Sequence, residues 1–239
     1  RDKHALYVAE GEKIVGELLA SGAEVPMLCG LSSWYEENSS ILPDREPQRR
    51  REHNGSNDLP SGGHTDYIQE SPTELSRISG LKTPNKVLAV ARIPTYKLPE
   101  NFSPDELLVI LDNIRDPGNL GTIIRTADWF GVEHIICSVS TADAYNPKVV
   151  QATMGSLQRV KVHYVDLNEF IPGLGDKLNL YLTDTDGESI YTAKAELPAA
   201  FLIGNEARGV SASLASIVKN KITIPPFKED KHAESLNAA

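Results

Sequence analysis

The fold is decided by one stretch of the sequence, Asp112-Asn-Ile-Arg-Asp-Pro-Gly-Asn-Leu-Gly-Thr-Ile-Ile-Arg-Thr-Ala127. It follows the short apolar run Leu107-Leu-Val-Ile-Leu111, which is typical of a fully buried strand. A Pro-Gly pair then turns the chain, and apolar residues recur at helical spacing from Leu120, so a helix is predicted to begin near Asn119. A strand, a turn and a helix N-terminus present backbone N–H groups. We therefore predict a binding site for an anion or another ligand at this turn.

The glycines of this turn do not match the dinucleotide-binding fingerprint. Gly118-Asn-Leu-Gly121 has the wrong spacing and no third glycine. No acidic ribose ligand follows a proper fingerprint either, so a metabolic dehydrogenase is the least favoured function. Arg125 lies in the second turn of the predicted helix, within reach of whatever the turn binds.

The same stretch resembles the first signature of the SpoU/TrmH-type RNA 2′-O-ribose methyltransferases of the SPOUT superfamily. In that family an asparagine is followed by five variable residues and Arg-Thr-Ala. Here the asparagine is Asn119 and the triplet is Arg125-Thr-Ala127, preceded by the family-like Asp116-Pro-Gly118. The resemblance implies that this protein is a knotted enzyme that uses S-adenosylmethionine.

Two further family signatures follow in the expected order. Phe201-Leu-Ile-Gly-Asn-Glu-Ala-Arg-Gly-Val210 resembles the second, with Gly209 predicted to open the next helix. Ile222-Thr-Ile-Pro-Pro226 and Ser235-Leu-Asn237 resemble the third, although the loop at 227–234 is charged, lacks glycine and is longer than usual. The joint occurrence of all three signatures identifies the chain as a member of this family.

The resemblance assigns roles to individual residues. The catalytic set is Asn119, Arg125, Glu206, Ser235 and Asn237. The cofactor-binding set is Gly204, Ile224 and Leu236. In these roles Asn119 fixes the Arg125 side chain, and Glu206 pairs with Arg125 or contacts RNA. Ser235 and Asn237 hydrogen-bond the substrate and the loop.

The family chemistry is methyl transfer to a ribose 2′-hydroxyl, and the family assigns activation of that hydroxyl to the arginine that matches Arg125. A guanidinium is protonated throughout the accessible pH range. We therefore prefer a role in which the planar Arg125 guanidinium binds the RNA phosphate and orients the 2′-hydroxyl. Deprotonation of that hydroxyl by Arg125 is the stronger claim. A charge such as that of Glu206 at the end of a buried strand requires a partner.

We predict an α/β fold in two domains. The resemblance implies that residues 1–92 form a small L30e-like α/β domain that binds the RNA substrate, with a polar, flexible insertion at 36–67. Residues 93–105, with three prolines, form a linker. The resemblance implies that residues 106–239 form the SpoU-type methyltransferase domain, with a mostly parallel sheet and a trefoil knot, and that the protein is a homodimer. The sequence ends at Ala239, so we expect the family's C-terminal helix to be missing.

Local signals predict further elements. Ser71-Pro-Thr-Glu74 has the residues of a helix start with a capping box. The segment 146–157 is predicted to be helical after its proline, and Lys161-Val-His-Tyr-Val165 is a predicted strand. The run Asn179-Leu-Tyr-Leu-Thr183 is a strand that is predicted to end where open α/β sheets usually hold a ligand.

Composition limits the partners and the compartment. The net charge is −9 and both halves of the chain are acidic, so RNA binding must depend on a local patch or on shape. Cys29 and Cys137 are too few and too far apart for a metal cluster, and the histidines are scattered, so no metal is expected. The absence of a long apolar run and of a signal peptide predicts a cytoplasmic protein without a membrane segment.

Two functions remain open. The first is an S-adenosylmethionine-dependent methyltransferase that acts on a ribose 2′-hydroxyl of tRNA or ribosomal RNA. The alternative is a non-catalytic RNA-binding or ribosome-assembly protein that keeps the knotted fold. The acidic balance and the altered third signature favour the alternative, whereas the intact catalytic set favours the enzyme.

Overall fold

The structure is a computed structural model that describes residues 5–42, 48–49, 65–226 and 238–239. Most of the predicted insertion therefore lies outside the described residues. The chain divides into two compact units. The first contains Arg1–Thr95 and Tyr145–Gln158, and the second contains Tyr96–Ala144 and Arg159–Ala239.

The first unit is built on a five-stranded mixed sheet with the order β1-β5-β2-β4-β3. Its strands are β1 Leu6–Glu10, β2 Met27–Gly30, β3 Gln48–Arg49, β4 Asp66–Gln69 and β5 Val87–Arg92. Its helices are α1 Glu12–Ala20, α2 Ser32–Glu37, α3 Pro72–Ile78 and α5 Pro147–Thr153. Strand β5 runs antiparallel to β1 and β2, while β4 runs parallel to β2 and β3.

The start of α3 confirms the predicted capping box. The Ser71 hydroxyl accepts a hydrogen bond from the Glu74 N–H at 3.3 Å, and the Glu74 carboxylate accepts one from the Ser71 N–H at 3.0 Å. The buried carboxylate of Glu10 accepts hydrogen bonds from the Ser79 hydroxyl and, at 3.1 Å, from the Gly80 N–H. The end of α3 is thereby attached to the end of β1.

The segment that contains α5 packs on β1 and α1. The rings of Tyr7 and Tyr145 lie 4.9 Å apart, and the Gln158 amide donates to the Tyr7 hydroxyl at 3.1 Å. The helix ends at Thr153, earlier than the sequence predicted, because Met154 adopts a left-handed conformation with φ +52°. A left-handed residue ends a helix because it redirects the chain and closes the last turn.

The second unit is built on a six-stranded parallel sheet with the order β11-β9-β10-β6-β7-β8. Its strands are β6 Leu107–Leu111, β7 His134–Ser138, β8 Lys161–Val165, β9 Asn179–Ser189, β10 Ala199–Ile203 and β11 Asn220–Thr223. Its helices are α4 Pro117–Trp129, α6 Leu167–Leu174 and α7 Ala212–Ala215. Leu108, Ile110 and Leu202 are fully buried in its core. The predicted α/β fold with a mostly parallel sheet is confirmed.

Helix α4 begins two residues before the predicted start. The Asp116 carboxylate caps the helix by accepting a hydrogen bond from the Asn119 N–H at 2.8 Å, and Pro117 occupies the first helical position. Proline is favoured there because its missing N–H would have no partner within the helix. The Pro-Gly pair therefore starts the helix and does not only turn the chain.

Two other predicted boundaries are wrong. Strand β9 does not end at Thr183 but continues to Ser189, because its last two residues pair with β11. Gly209 does not open the next helix, which begins at Ala212. Gly209 instead closes a tight turn, with φ +67° and reciprocal backbone hydrogen bonds to Asn205.

Within the described residues, no helix is long and apolar enough to cross a membrane. The same part of the chain contains no group of three or more His, Cys, Asp or Glu residues arranged to hold a metal ion. Cys29 and Cys137 are buried and are not joined to each other by a disulfide.

A histidine pair joins the neighbouring strands β7 and β8. His134 Nδ1 and His163 Nε2 lie 3.0 Å apart, and the Tyr96 ring contacts His163 edge-on. The pKa of His163 is lowered to about 4, mainly by burial and in addition by the charges of His134 and Lys161. Burial also lowers the pKa of His134. Both rings therefore favour the neutral state in the folded protein.

We predict that acid destabilises the second unit through His163. Its folded-state pKa lies below the unfolded value of about 6.5, so the unfolded chain binds the proton more readily and stability falls as the pH drops from about 6.5 towards 4. The free energy of unfolding would be measured with urea at about pH 7.5 and about pH 5. Its decrease between these two pH values should be smaller in His163→Gln than in the wild type, by on the order of 1–2 kcal/mol. An unchanged pH dependence in the variant would contradict the assignment.

Candidate active site

Two motif loops leave the same edge of the parallel sheet. Strands β6 and β10 are hydrogen-bonded neighbours, with Leu111 paired to Ile203, and the Asp112 N–H continues the pairing by donating to the Ile203 carbonyl at 2.9 Å. The loop after β6 leads into α4, and the loop after β10 leads into α7. Because parallel strands end at the same edge, the first two sequence signatures meet there.

Asn119 and Glu206 are in direct contact at this edge. The Asn119 side-chain amide donates a hydrogen bond to the Glu206 carboxylate at 2.5 Å, and both residues are half-buried. Glu206 therefore has a partner, as its position requires. In the structure a partner is Asn119, whereas the sequence analysis suggested Arg125 or RNA. The contact joins two residues that are 87 positions apart in the sequence.

Arg125 lies in the third turn of α4, because the helix starts earlier than predicted, and its side chain is exposed. Among the residues that the structure describes, no hydrogen bond or ion pair holds its guanidinium. The buried face of the same helix carries Leu120, Ile123 and Ile124, which fix the helix on the sheet. The packing of α4 thus directs Arg125 to solvent, where five N–H donors are available to a ligand.

The turn after β10 requires a glycine at position 204. A Cβ atom on Gly204 would lie 2.2 Å from both the Gly209 carbonyl carbon and the Val210 nitrogen, which is much closer than real contacts allow. The Asn205 side chain accepts hydrogen bonds from the N–H groups of Ala207 and Arg208 at 3.0 and 3.2 Å. The turn is therefore rigid, and it places Glu206 between these anchor points.

A second set of contacts, which the sequence analysis did not find, joins the two loops. The Asp112 carboxylate accepts a hydrogen bond from the Ser211 N–H at 2.8 Å, and the Asn205 amide donates to the Asn113 carbonyl at 3.0 Å. Asn113 has a left-handed φ of +61°, and its N–H donates to the Ser138 hydroxyl. The available signal was a run of polar residues directly after a buried strand, since such residues lie at the ligand-binding edge of a parallel sheet.

The structure places only part of the predicted cofactor and substrate set. Gly204 follows β10, and Ile224 follows β11 with 55% of its surface exposed. Ser235, Leu236 and Asn237 lie outside the described residues, so their roles stay predictions. The roles of the other predicted site residues stay predictions as well.

Comparison with known proteins relates the chain to RNA methyltransferases. The model of the SpoU rRNA methylase family matches residues 106–239. The chain is 28% identical to the 23S rRNA (guanosine(2553)-2′-O)-methyltransferase RlmP of Bacillus subtilis, over 100% of this chain and 86% of that protein. It is 33% identical to the 23S rRNA (uridine(2479)-2′-O)-methyltransferase of Streptomyces viridochromogenes, over 73% of this chain and 63% of that protein.

Solved structures agree with the sequence matches. The AdoMet-bound rRNA methyltransferase from Sinorhizobium meliloti superposes with a TM-score of 0.78 and 27% identity, over 100% of this chain and 84% of that one. The SpoU methyltransferase AviRb from Streptomyces viridochromogenes, in complex with AdoMet, gives a TM-score of 0.76 and 25% identity, over 98% of this chain and 85% of that one.

These similarities place the chain among α/β RNA methyltransferases. The chain belongs to the SpoU rRNA methylase family, as its three signatures predicted.

We predict that Gly204→Ala lowers the free energy of unfolding by on the order of 3 kcal/mol, because the new methyl group forces the turn away from its own backbone. Gly173→Ala is the matched control, since Gly173 lies in α6 and no atom would lie within 4 Å of its Cβ. That control should be neutral or stabilising by up to about 1 kcal/mol. Equal urea midpoints for the two variants would contradict the packing argument.

Proposed function

We propose that this protein transfers a methyl group from S-adenosylmethionine to a ribose 2′-hydroxyl of RNA. The observation that carries the proposal is the Asn119–Glu206 hydrogen bond, which brings the first and second family signatures together at the ligand-binding edge of the sheet. The predicted enzyme class is confirmed by the family and by relatives that act on ribose 2′-hydroxyls. The predicted cofactor is confirmed by relatives that bind AdoMet.

The residues at this edge fit the cofactor. S-adenosylmethionine supplies a methyl group on a sulfonium, which is already an activated leaving group. Gly204 follows β10 at this edge, and the exposed Ile224, which follows β11, offers an apolar surface for an adenine ring. Residues Gly204, Ile224 and Leu236 would hold the cofactor.

Arg125 orients the substrate in this proposal. Its exposed guanidinium binds the RNA phosphate next to the target nucleotide and directs the 2′-hydroxyl towards the methyl group. Asn119 and Glu206 are further polar residues of the proposed site, and Ser235 and Asn237 would hydrogen-bond the substrate. A guanidinium that stays protonated suits this orienting role better than the role of a base.

Ribosomal RNA is the favoured substrate class. The Bacillus relative aligns with the whole chain, and both this relative and the Streptomyces relative are named for methylation of 23S rRNA. The acidic net charge of −9 means that the protein recognises RNA through shape and local contacts more than through bulk charge.

Further features of the proposal come from the family resemblance. We propose that the first domain, residues 1–92, is the L30e-like module that binds the RNA substrate, and that residues 93–105 are a linker. We propose a trefoil knot in the methyltransferase domain, residues 106–239, and a homodimer with the site near its interface. No metal enters the proposed chemistry. The two buried cysteines, which are not joined by a disulfide, suit a reducing compartment, and a cytoplasmic location stays a prediction.

The proposal is tested by methyl transfer from labelled S-adenosylmethionine to total ribosomal RNA and, separately, to tRNA. The RNA should come from a strain that lacks this gene, and digestion to nucleosides should follow. A labelled 2′-O-methyl nucleoside from ribosomal RNA is the expected result. Label in neither pool, with cofactor binding intact, would favour the alternative of a non-catalytic RNA-binding or ribosome-assembly protein.

We predict that Arg125→Ala reduces methyl transfer by about 100-fold or more, because the 2′-hydroxyl is no longer oriented. Arg125→Lys should lose most of the rate as well, since an ammonium cannot replace a planar fork. Lys194→Ala removes an exposed cation from a loop of the same unit and should keep the wild-type rate. Urea unfolding checks the fold, and loss of folding in Arg125→Ala would show a structural role.

A further inference from the structure

Strand β9 contains an insertion relative to its partner β11. Tyr181 and Leu182 pair with the first two residues of β11, but the next pairs are Glu188 with Ile222 and Ser189 with Thr223. Residues 183–187 of β9 therefore have no opposing residues on β11. We call these five residues the β9 bulge. Bulges of this kind redirect a strand, and they are enriched next to functional sites.

Three contacts hold the β9 bulge in place. The Thr183 hydroxyl donates to the Leu202 carbonyl on β10 at 3.1 Å. Lys221 Nζ on β11 lies 2.9 Å from the Asp184 carboxylate. The third contact is at Gly187, where a Cβ atom would lie 2.7 Å from the Ile222 carbonyl carbon. The bulge is thus attached to β10 at its start and to β11 at its middle and end.

The Asp184–Lys221 pair is charged at neutral pH. The hydrogen bond from Lys221 lowers the pKa of Asp184, and the Thr185 N–H, which donates to the same carboxylate at 2.7 Å, lowers it further. The hydrogen bond to Asp184 raises the pKa of Lys221. The Lys221 and Asp184 side chains keep 39% and 35% of their surface exposed. The pair therefore contributes little to global stability.

The position of the β9 bulge points to a local role. It lies in the second half of β9, next to the carboxyl end of β10, which runs into Gly204. Strand β11, which carries Lys221, runs directly into Ile224. Two of the three residues proposed to hold the cofactor, Gly204 and Ile224, thus follow the two strands to which the bulge is attached.

We propose that Asp184 and Lys221 are positioning residues for S-adenosylmethionine. Their ion pair holds the β9 bulge against β11 and so fixes the strand that leads into Ile224. The pair acts through these strands and does not touch the reacting atoms. This inference rests on the proposed function, because it concerns the cofactor of that reaction.

Calorimetric titration of the full chain with S-adenosylmethionine tests the pair. Asp184→Asn and Lys221→Met should each raise the Kd for the cofactor about threefold, in the range expected when a partly exposed ion pair is lost. Lys221→Arg, which keeps the charge, should restore most of the affinity. Lys161→Met is the matched control, since Lys161 forms a 3.2 Å ion pair on β8 with 38% of its surface exposed. This control should bind like wild type.

Steady-state kinetics separates positioning from general structure. The Asp184 and Lys221 variants should raise the KM for S-adenosylmethionine and leave kcat and the KM for RNA unchanged, with urea midpoints equal to that of Lys161→Met. Unchanged cofactor affinity in both variants, while the wild type binds normally, would overturn the role of the pair alone. A wild-type protein that does not bind S-adenosylmethionine would overturn the proposed function and this inference together.

Discussion

The hydrogen bond from Asn119 to Glu206 is the interaction on which the proposed site depends. It can form only because β6 and β10 are parallel neighbours whose loops leave the sheet at one edge. A hydrogen bond to a half-buried carboxylate contributes about 1.5–3 kcal/mol, and the loss of the amide would leave a desolvated charge. The same contact therefore satisfies the carboxylate and connects the helix that carries Arg125 with the turn that carries Gly204.

The surrounding contacts explain how this hydrogen bond is kept in place. Asp112 and Asn205 each hold the backbone of the opposite loop, so the two loops are joined on both sides of the Asn119–Glu206 contact. The close packing at Gly204 removes the remaining freedom of the turn. A catalytic group is oriented well only when its supporting residues are themselves fixed. The support is built from polar groups at strand ends, where a parallel sheet leaves backbone groups available.

Local sequence signals were sufficient for much of this fold and insufficient for its longest-range contacts. Strands β6 and β8 were predicted to the residue, because buried apolar runs bounded by turn residues have few alternatives. The start of α4 was placed late because Pro117 was interpreted as a break, although proline also suits the first helical position. The end of β9 was placed at Thr183 because the residues that follow are polar, and the pairing of Glu188 and Ser189 with β11 has no local signal. The contact between Asn119 and Glu206 has no local signal, and only the family resemblance brought both residues into one site.

A double-mutant cycle on methyl transfer tests the central claim most directly, since it measures whether two residues act as one unit. The rate of transfer to ribosomal RNA would be compared for the wild type, Asn119→Ala, Glu206→Ala and the double variant, with cofactor binding measured in each. The predicted result is strong non-additivity, in which the double variant is no slower than the slower single variant. Losses that simply add would show that the two residues act independently and would contradict the account.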